Sequence, residues 1–398
     1  MMSEKKTIRD IDVAGKRVFV RVDFNVPMDA ATGSILDDSR IKAALPTIEY
    51  LREREAKVII GSHLGRPKGE RNPKLSLAPV ATRLGELIGA DIKTSECCIG
   101  AEVQEIAHSL ESGEVLLLEN LRFHAEEEAN DPEYAKALAS LAEVYVNDAF
   151  GTAHRAHAST AGMARYLPAV AGLVMEKEIE YLSRAVQDPA RPYVAIIGGA
   201  KISTKMAVLE QLLDKVDKIL IGGGMANTFF KAEGFEVGES LVEDDYVDSA
   251  REVMEKAESK GVRILLPTDV IVAEKFEADS PAKRVSVKDV PTGWRIMDVG
   301  ETTIDVFAAA LRGAKTVVWN GPMGVIEMGP FSHGSHRLAG VLATLEDADT
   351  IIGGGETAAA VEQVGLASKF SHVSTGGGAS LEFLEGKELP GIAALEDA

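Results

Sequence analysis

The chain has 398 residues, more than one typical hydrophobic core accommodates, so we predict two domains. Its composition, 45% hydrophobic and 26% charged, is that of an ordinary globular protein, and its formal net charge is -19. A surface this acidic repels nucleic acids and anionic membranes. Any phosphate ligand therefore has to bind in a locally basic cleft.

The cysteines and the N-terminal segment indicate the cellular compartment in which the protein is expected. Cys97 and Cys98 are adjacent and suggest no disulfide framework, which favours a reducing cytoplasm. The segment MMSEKKTIRD has no apolar core for a signal peptide, and no run of 18 apolar residues occurs. We expect a cytoplasmic protein with neither nucleic acid nor membrane as a partner.

The first predicted strand, Arg17 to Val22, has polar residues at its carboxyl end. Asp23 and Asn25 alternate with Phe24 there, so both could face one side and bind substrate hydroxyls. Ligands gather at such strand ends in open α/β sheets. Taken as isolated positions, the same residues are more simply interpreted as turn formers.

A helix is predicted next, with Asp38 and Ser39 as its cap and an apolar stripe from Ile41 to Leu51. Arg40 lies in the first turn of this helix, where a cation opposes the helix dipole. Local stability does not explain Arg40, and this favours a functional role.

Three more predicted strands have basic residues at their carboxyl ends. The strands are Lys57 to Ser62, Val115 to Leu118 and Val144 to Val146, and they are followed by His63 and Arg66, by Arg122 and by Arg155. Any one of these residues could be an ordinary loop residue. Because parallel strands end at one edge of a sheet, the four strand ends together predict a site for a multiply charged anion. The acidic run Glu126 to Glu128 is predicted to be a solvated loop.

The second half of the chain opens with a strand, a glycine turn and a helical pattern. The apolar run Val194 to Ile197 precedes Gly198 and Gly199, an arrangement that suits the close approach of a phosphate. Lys201 and Lys205 are four residues apart, so we expect them to share one helical face and to bind the same anion. The alternative is that both are solvated surface lysines.

The same pattern recurs to the end of the chain. A strand with its glycine turn is predicted at Lys218 to Gly224, and further strands are predicted at Val262 to Leu266, Thr316 to Trp319 and Thr350 to Ile352, the last two followed by glycine-containing turns. Alternating strands and helices predict an α/β fold with two doubly wound parallel-sheet domains, joined by a linker helix and hinge. Neither GxGxxG nor GxxxxGK[ST] occurs, so the sequence predicts neither a standard dinucleotide site nor a P-loop.

These stretches together resemble the phosphoglycerate kinase family over nearly the whole chain. The motifs that carry the resemblance are RVDFNVP (21–27), SHLGRP (62–67), ENLRFH (119–124), DAFGTAHRAH (148–157), GGAK (198–201), IGGGMA (221–226), WNGP (319–322), IGGG (352–355) and SHVSTGGGAS (371–380). The resemblance implies reversible phosphoryl transfer between 1,3-bisphosphoglycerate and Mg-ADP, which yields 3-phosphoglycerate and Mg-ATP. It also implies a monomer.

By this resemblance, residues 1–171 bind the glycerate substrate, and a tail of residues 389–398 packs back on that domain. The implied substrate-binding residues are Asp23, Phe24, Asn25, Arg40, His63, Leu64, Gly65, Arg66, Arg122 and Arg155. Residues 172–186 would form the linker helix.

Residues 187–388 would bind the nucleotide. The implied nucleotide-binding residues are Gly199, Lys201, Lys205, Gly223, Gly224, Ile296, Asn320, Glu327, Gly354, Gly355, Glu356 and Thr357. Arg40, Lys201 and Lys205 would be catalytic, and Glu356 would lie close to Mg²⁺. Most members have Asp where this chain has Glu356, and commonly Gly where it has Ile296, so direct Mg²⁺ ligation and close approach to the base are both open.

Three other functions compete with this one. A kinase acting on another carboxylic acid would not need the arginine and histidine cluster. A phosphometabolite-binding protein without catalytic activity would be expected to lack Arg40, Lys201 or Lys205, and all three are present. A dehydrogenase would need the missing glycine fingerprint.

Overall fold

The computed structural model describes residues 4–398 and divides into two compact units. The N-terminal unit runs to Glu180 and includes the final segment Glu388–Ala398, and the C-terminal unit is Tyr181–Lys387. Residues 1–3, the start of the segment predicted to lack a signal peptide, lie outside the described residues.

The N-terminal unit is built on a six-stranded, wholly parallel sheet with the order β3-β4-β2-β1-β5-β6. Its strands are β1 (Arg17–Arg21), β2 (Lys57–Gly61), β3 (Ile92–Thr94), β4 (Val115–Leu117), β5 (Val144–Asn147) and β6 (Ala169–Ala171). Arg21 pairs with Gly61 and with Asn147, so β1, β2 and β5 end level with one another. The loops that follow these strands therefore start from one edge.

Helices cover this sheet. They are α1 (Ser39–Glu53), α2 (Ala78–Ile88), α3 (Ala101–His108), α4 (Ala125–Glu128) and α5 (Pro132–Ala139). The apolar face of α1 is buried and Asp38 stands at its N-cap, both as predicted. The Asp38 carboxylate accepts no hydrogen bond from the backbone of the first turn, because it pairs with the side chains of Lys42 and Arg83 instead.

The C-terminal unit has a second six-stranded parallel sheet, with the order β15-β14-β13-β7-β8-β9. Its strands are β7 (Tyr193–Ile197), β8 (Lys218–Ile221), β9 (Arg263–Leu265), β13 (Thr316–Asn320), β14 (Asp349–Gly353) and β15 (His372–Val373). Two parallel-sheet α/β domains confirm the predicted fold class.

A three-stranded antiparallel sheet in the C-terminal unit was not predicted. It contains β10 (Asp269–Ala273), β11 (Ala282–Ser286) and β12 (Arg295–Val299), with β10 in the centre. The edge strand β11 is largely exposed and has the sequence AKRVS, so it lacks the apolar run by which buried strands are recognised.

The remaining helices are α6 (Leu173–Gln187), α7 (Met206–Leu212), α8 (Ala226–Ala232), α9 (Val247–Ser259), α10 (Glu301–Leu311), α11 (His333–Leu342), α12 (Gly355–Gln363), α13 (Gly378–Leu384) and α14 (Pro390–Ala393). The boundary between the units falls within α6. The last segment binds the N-terminal unit through Gly391, whose N–H bonds Ala153 and whose carbonyl accepts from Asn147. Across residues 4–398, no helix has the length and apolarity needed to cross a membrane.

Asp148 is a buried carboxylic acid in the loop after β5. Its Oδ1 accepts hydrogen bonds from the backbone N–H groups of Val174 (2.8 Å) and Met175 (3.2 Å) at the start of α6. Burial raises the pKa of Asp148 to about 7. The folded protein thus holds this proton in a pH range where the unfolded chain has released it, and stability falls as the pH rises from about 4 to about 7.

We expect Asp148→Asn to flatten this pH dependence. The amide oxygen keeps both backbone hydrogen bonds, and the variant loses a contribution of up to about 1.4 kcal/mol per pH unit to the slope. Thermal unfolding between pH 4.5 and 7.5 measures the difference. The exposed Asp12→Asn is the control, and parallel curves for wild type and Asp148→Asn would contradict the assignment.

Candidate active site

The N-terminal unit brings basic side chains together at the carboxyl edge of its sheet. Arg21, Arg40, Arg122 and Arg155 all act electrostatically on His63, and we call these five residues the basic cluster. They come from the ends of β1, β2 and β4, from the loop after β5, and from the first turn of α1. The parallel sheet is what makes these distant positions neighbours.

Asp23 and Asn25 take up defined roles within this edge. Asp23 Oδ2 accepts a hydrogen bond from Arg40 Nη1 at 2.7 Å, so it orients a cation of the cluster. Asn25 Oδ1 accepts from the backbone N–H of Gly65 at 2.9 Å and ties the loop after β1 to the loop after β2. Asp23 Oδ1 also accepts from the backbone N–H of Asn25 at 3.2 Å, so Asp23 forms a local turn in addition to its contact with Arg40.

His63 is almost fully buried. Burial, together with the positive charges of Arg21 and Arg122, lowers the pKa of His63 well below its ordinary value. The ring is therefore neutral at physiological pH and offers one N–H donor.

Arg122 is a buried cation with unused donors. Its Nη1 donates to the carbonyl of Gly65 at 3.0 Å, whereas Nε and Nη2 are buried and have no hydrogen-bond partner within residues 4–398. Glu128 Oε1 lies 3.4 Å from Nε without forming that bond. Burial and the charge of Arg21 lower the pKa of Arg122 to about 10. Two guanidinium nitrogens on one side chain that lack a hydrogen-bond partner are suited to bind a phosphate or carboxylate ligand.

The other predicted substrate residues differ in exposure. Arg155 is half-buried, and its Nε lies 3.1 Å from His154 Nε2. Arg66 is exposed and forms neither an ion pair nor a hydrogen bond within the described chain. The side chains of Phe24 and Leu64 belong to the hydrophobic core, so only their backbones are available to a ligand.

Two residues of this region were missed or misjudged from sequence. The run Glu126 to Glu128 is not a solvated loop, because it forms α4 and Glu127 is completely buried. Arg21, also completely buried, supplies the inner guanidinium of the basic cluster. Arg21 lies one position before the end of the predicted strand Arg17 to Val22, and a charged residue inside an otherwise apolar strand end was the available sequence signal for a functional role. A run of three acids carries no comparable signal of which one is buried.

In the C-terminal unit, glycine-rich backbone segments meet at the carboxyl edge of the second sheet. Gly198 and Gly199 donate to the carbonyls of Asn320 and Pro322 at 2.8 and 2.9 Å. Gly223 donates to the carbonyl of Met323 at 3.1 Å. The predicted loops after β7, β8 and β13 are therefore joined directly through their backbones.

Gly223 tolerates no side chain in this arrangement. Its φ is +65°, and a Cβ would lie 2.6 Å from both the nitrogen and the oxygen of Gly199. We expect Gly223→Ala to push these loops apart and to weaken Mg-ADP binding at least about tenfold.

Gly261→Ala is the matched control for Gly223→Ala. Gly261 has a φ of +72° but open space around the added Cβ, so this variant bears the backbone strain of roughly 1–2 kcal/mol without the clash. Calorimetric titration with Mg-ADP compares the two, and equal affinities would contradict the proposed close packing.

The prediction that Lys201 and Lys205 share a helical face is wrong. Lys201 is extended and exposed, a 3₁₀ turn at Ile202–Thr204 follows it, and α7 begins only at Met206. Buried Ile202 anchors this turn, so helical spacing does not apply. Lys205 is buried, and its Nζ donates to Asn320 Oδ1 at 2.5 Å. Burial lowers the pKa of Lys205, and the charge of Glu356 opposes this.

A cavity of about 270 Å³ lies beside these loops. Of the residues predicted to bind the nucleotide, those that line it are Gly199, Gly223, Gly224, Ile296, Glu327 and Glu356. Lys201, Lys205, Asn320, Gly354, Gly355 and Thr357 lie outside its lining. Apolar residues such as Phe230, Leu241 and Val270 complete it, which suits a flat aromatic base. These apolar lining residues were not predicted from the sequence. Several of them, such as Val270, belong to the antiparallel sheet or to the loops next to it, and that sheet was itself not predicted.

Asn320 and Thr357 form hydrogen bonds with groups of the neighbouring loops. Thr357 Oγ1 accepts from the backbone N–H of Gly321 at 2.7 Å, and the Nδ2 of Asn320 is buried without a partner in the described residues. Gly354 precedes α12, which begins at Gly355.

Glu356, in the first turn of α12, also faces this cavity, so its carboxylate is available to a ligand there. Within residues 4–398, no group of three or more His, Cys, Asp or Glu side chains could form a metal cage. Mg²⁺ commonly binds through one or two carboxylates together with phosphate oxygens of a nucleotide. The carboxylate of Glu356 fits that mode of binding.

Known proteins are similar to this chain over its whole length. The family model described as phosphoglycerate kinase matches residues 8–387. A phosphoglycerate kinase of Moorella thermoacetica is 58% identical over 393 residues, and one of Chloroflexus aggregans is 57% identical over 398; each alignment covers 99% of both chains. The solved phosphoglycerate kinase from Coxiella burnetii has a TM-score of 0.88 at 44% identity, and that from Pyrococcus horikoshii OT3 has 0.86 at 36%. Both cover 98% of each chain. The chain therefore belongs to the phosphoglycerate kinase family.

Proposed function

We propose that this protein catalyses reversible phosphoryl transfer from 1,3-bisphosphoglycerate to Mg-ADP, which yields 3-phosphoglycerate and Mg-ATP in glycolysis. The observation that carries this proposal is the basic cluster, in which buried Arg122 has two donors without a partner. A phosphate group on the substrate supplies the missing acceptors. A carboxylic acid without such a phosphate does not need them.

The two substrates bind to different domains in this proposal. Residues 1–171 with the tail 389–398 hold 3-phosphoglycerate, residues 187–388 hold the nucleotide, and residues 172–186 link them. Asp23, Asn25 and Arg40 bind the carboxyl and hydroxyl end, whereas His63, Arg66, Arg122 and Arg155 bind the phosphate that is not transferred. Burial of His63 and Arg122 supports their assignment, since they are held in place before the ligand arrives.

The chemistry needs positive charge rather than a general base. In the ATP-consuming direction the nucleophile is a carboxylate, which is already ionised at neutral pH. The transition state of an in-line phosphoryl transfer is stabilised by cations and N–H donors. We assign this role to Arg40, Lys201 and Lys205, of which Lys205 is buried and oriented by Asn320.

We propose that Mg²⁺ accompanies the nucleotide and that Glu356 helps to hold it. When bound, the ion neutralises charge on the nucleotide phosphates. Glu327 would bind the ribose and Ile296 would contact the base, which agrees with their position in the cavity wall. Gly199, Gly223, Gly224, Gly354, Gly355 and Thr357 would approach the nucleotide mainly through their backbones.

We further propose a cytoplasmic monomer whose domains close on the two substrates. Closure would bring the substrates together and exclude water, which suppresses hydrolysis of the nucleotide. Both cysteines are free thiols, as a reducing compartment favours. Small-angle scattering should give a smaller radius of gyration with 3-phosphoglycerate and nucleotide together than with either alone. An unchanged radius with both bound would contradict closure.

Release of ADP from Mg-ATP tests the proposed function. We expect ADP release with 3-phosphoglycerate and almost none with 2-phosphoglycerate or glycerate, because only the first offers both a carboxylate and a phosphate at the required spacing. Nucleotide and 3-phosphoglycerate binding without ADP release would favour a binding protein that lacks catalysis. Turnover of glycerate at the same rate would favour a kinase for another acid.

A further inference from the structure

A chain of hydrogen bonds runs through the interior beneath the basic cluster. It links Glu127 of α4 to Ser159, Ser159 to Arg21, and Arg21 to His63. Glu127, Ser159 and Arg21 are completely buried, and His63 is 4% exposed. No solvent competes for these polar groups, so the direction of each hydrogen bond follows from which groups can donate.

The serine hydroxyl takes a single orientation in this chain. Ser159 donates twice to the Glu127 carboxylate, from its backbone N–H to Oε2 at 3.0 Å and from Oγ to Oε1 at 2.5 Å. Its Oγ in turn accepts from Arg21 Nε at 2.8 Å. The reverse arrangement, in which protonated Glu127 donates to Ser159, would leave the serine proton without an acceptor in the described structure. These hydrogen bonds therefore fit an ionised Glu127.

The charges around Glu127 support this assignment. Burial outweighs the other effects and raises the pKa of Glu127 overall, whereas the positive charges of Arg21 and Arg122 and the hydrogen bonds from Ser159 act in the opposite direction and favour the carboxylate. Glu127 is thus a buried carboxylate next to the inner guanidinium of the basic cluster, and it offsets part of that cluster's positive charge.

The other end of the chain determines the tautomer of His63. Arg21 Nη2 lies 3.2 Å from His63 Nδ1, and a guanidinium can only donate, so Nδ1 must be the acceptor. The proton of the neutral ring is then on Nε2. Asp23 Oδ1 lies 3.9 Å from Nδ1, which is too far to bind a proton there.

We propose that Glu127 is a positioning residue for the anion site: through Ser159 and Arg21 it holds His63 in the Nε2–H form that donates to the phosphate of the substrate. This inference rests on the proposed function for the identity of the ligand. None of these hydrogen bonds requires Glu127 to contact the substrate itself.

Glu127→Gln separates positioning from charge. Loss of a negative charge makes the site more positive, and on that ground alone an anion would bind more tightly. A glutamine, however, has one acceptor oxygen for the two donors of Ser159, so its NH₂ group must face one of them. Ser159 then no longer presents an unchanged acceptor to Arg21, and we expect weaker anion binding.

The experiment uses the full-length protein and 3-phosphoglycerate as the probe. We expect Glu127→Gln and Ser159→Ala each to weaken binding about tenfold in calorimetric titration. The double variant should bind no more weakly than the single variants, because each of the three variants interrupts the same series of hydrogen bonds. Glu126→Gln, an exposed position on the same helix, should bind as the wild type does.

A second readout does not depend on the ligand. ¹⁵N shifts of the His63 ring in the free wild-type protein should be those of the Nε2–H tautomer, and both variants should show a mixture. Ser159→Ala supplies the test if Glu127→Gln does not fold. Unchanged or tighter binding with an unchanged His63 spectrum in either folded variant would overturn the inference. Failure of the wild type to bind 3-phosphoglycerate would count against the proposed function, and the ring shifts would still decide the role of Glu127.

Discussion

Replacement of Lys205 by methionine should lower kcat at least about a hundredfold, the usual scale for removal of one charge-stabilising group. Lys205 is 9% exposed, and its ammonium is fixed by Asn320, so its charge acts from a preorganised, water-poor position. Methionine fills a similar volume without the charge. Because the loss falls on the transition state, we expect KM for 3-phosphoglycerate to change little.

Lys231→Met is the control for the Lys205 variant. Lys231 lies in the last turn of α8 in the same unit and is exposed, so its loss should leave kcat unchanged. Steady-state assays with both substrates varied give the two constants. A Lys205→Met enzyme with kcat within a few-fold of the wild type would remove Lys205 from the catalytic residues.

Replacement of Arg122 by methionine should have opposite effects on binding and on stability. The guanidinium is 3% exposed and leaves Nε and Nη2 without partners, so in the free protein it is an incompletely compensated buried charge. Its removal should leave the free protein as stable as the wild type or more stable. Binding of 3-phosphoglycerate should weaken about a hundredfold, because hydrogen bonds between charged groups are lost.

Calorimetric titration and thermal unfolding test the Arg122 variant together. Arg71→Met serves as the control, since Arg71 is 59% exposed and its partner Glu96 lies 3.7 Å away at the surface. Arg71→Met should bind 3-phosphoglycerate as the wild type does. A less stable Arg122→Met protein with unchanged affinity would mean that Arg122 is structural and that its free donors have no ligand.

The fold class was predictable because buried parallel strands have an obvious sequence pattern. Runs such as Val58 to Ile60 and Val194 to Ile197 are apolar on both faces, and each is followed by glycine or polar residues. The edge strand β11 lacks that pattern, since most of its side chains are in solvent. Pairing with β10 defines it, and such pairing is a tertiary property.

The positions of the candidate site residues followed from topology, whereas their environments did not. Parallel strands that end at one edge bring Asp23, His63 and Arg122 together wherever they stand in the sequence. Burial of Glu127 depends on how α4 packs against the segment that contains Ser159. The separation of Lys201 from Lys205 depends on one 3₁₀ turn anchored by a buried side chain. Neither feature has a signal in residue spacing.

Trapping of the acyl phosphate with hydroxylamine tests the central claim most directly. The protein is incubated with Mg-ATP and 3-phosphoglycerate, with glycerate as the control acid. We predict hydroxamate only with 3-phosphoglycerate, because only this acid has the phosphate that the basic cluster binds. The Lys205→Met variant should give no hydroxamate with either acid. Absence of hydroxamate with either acid, in a protein that binds nucleotide, would contradict the assignment of phosphoglycerate kinase activity.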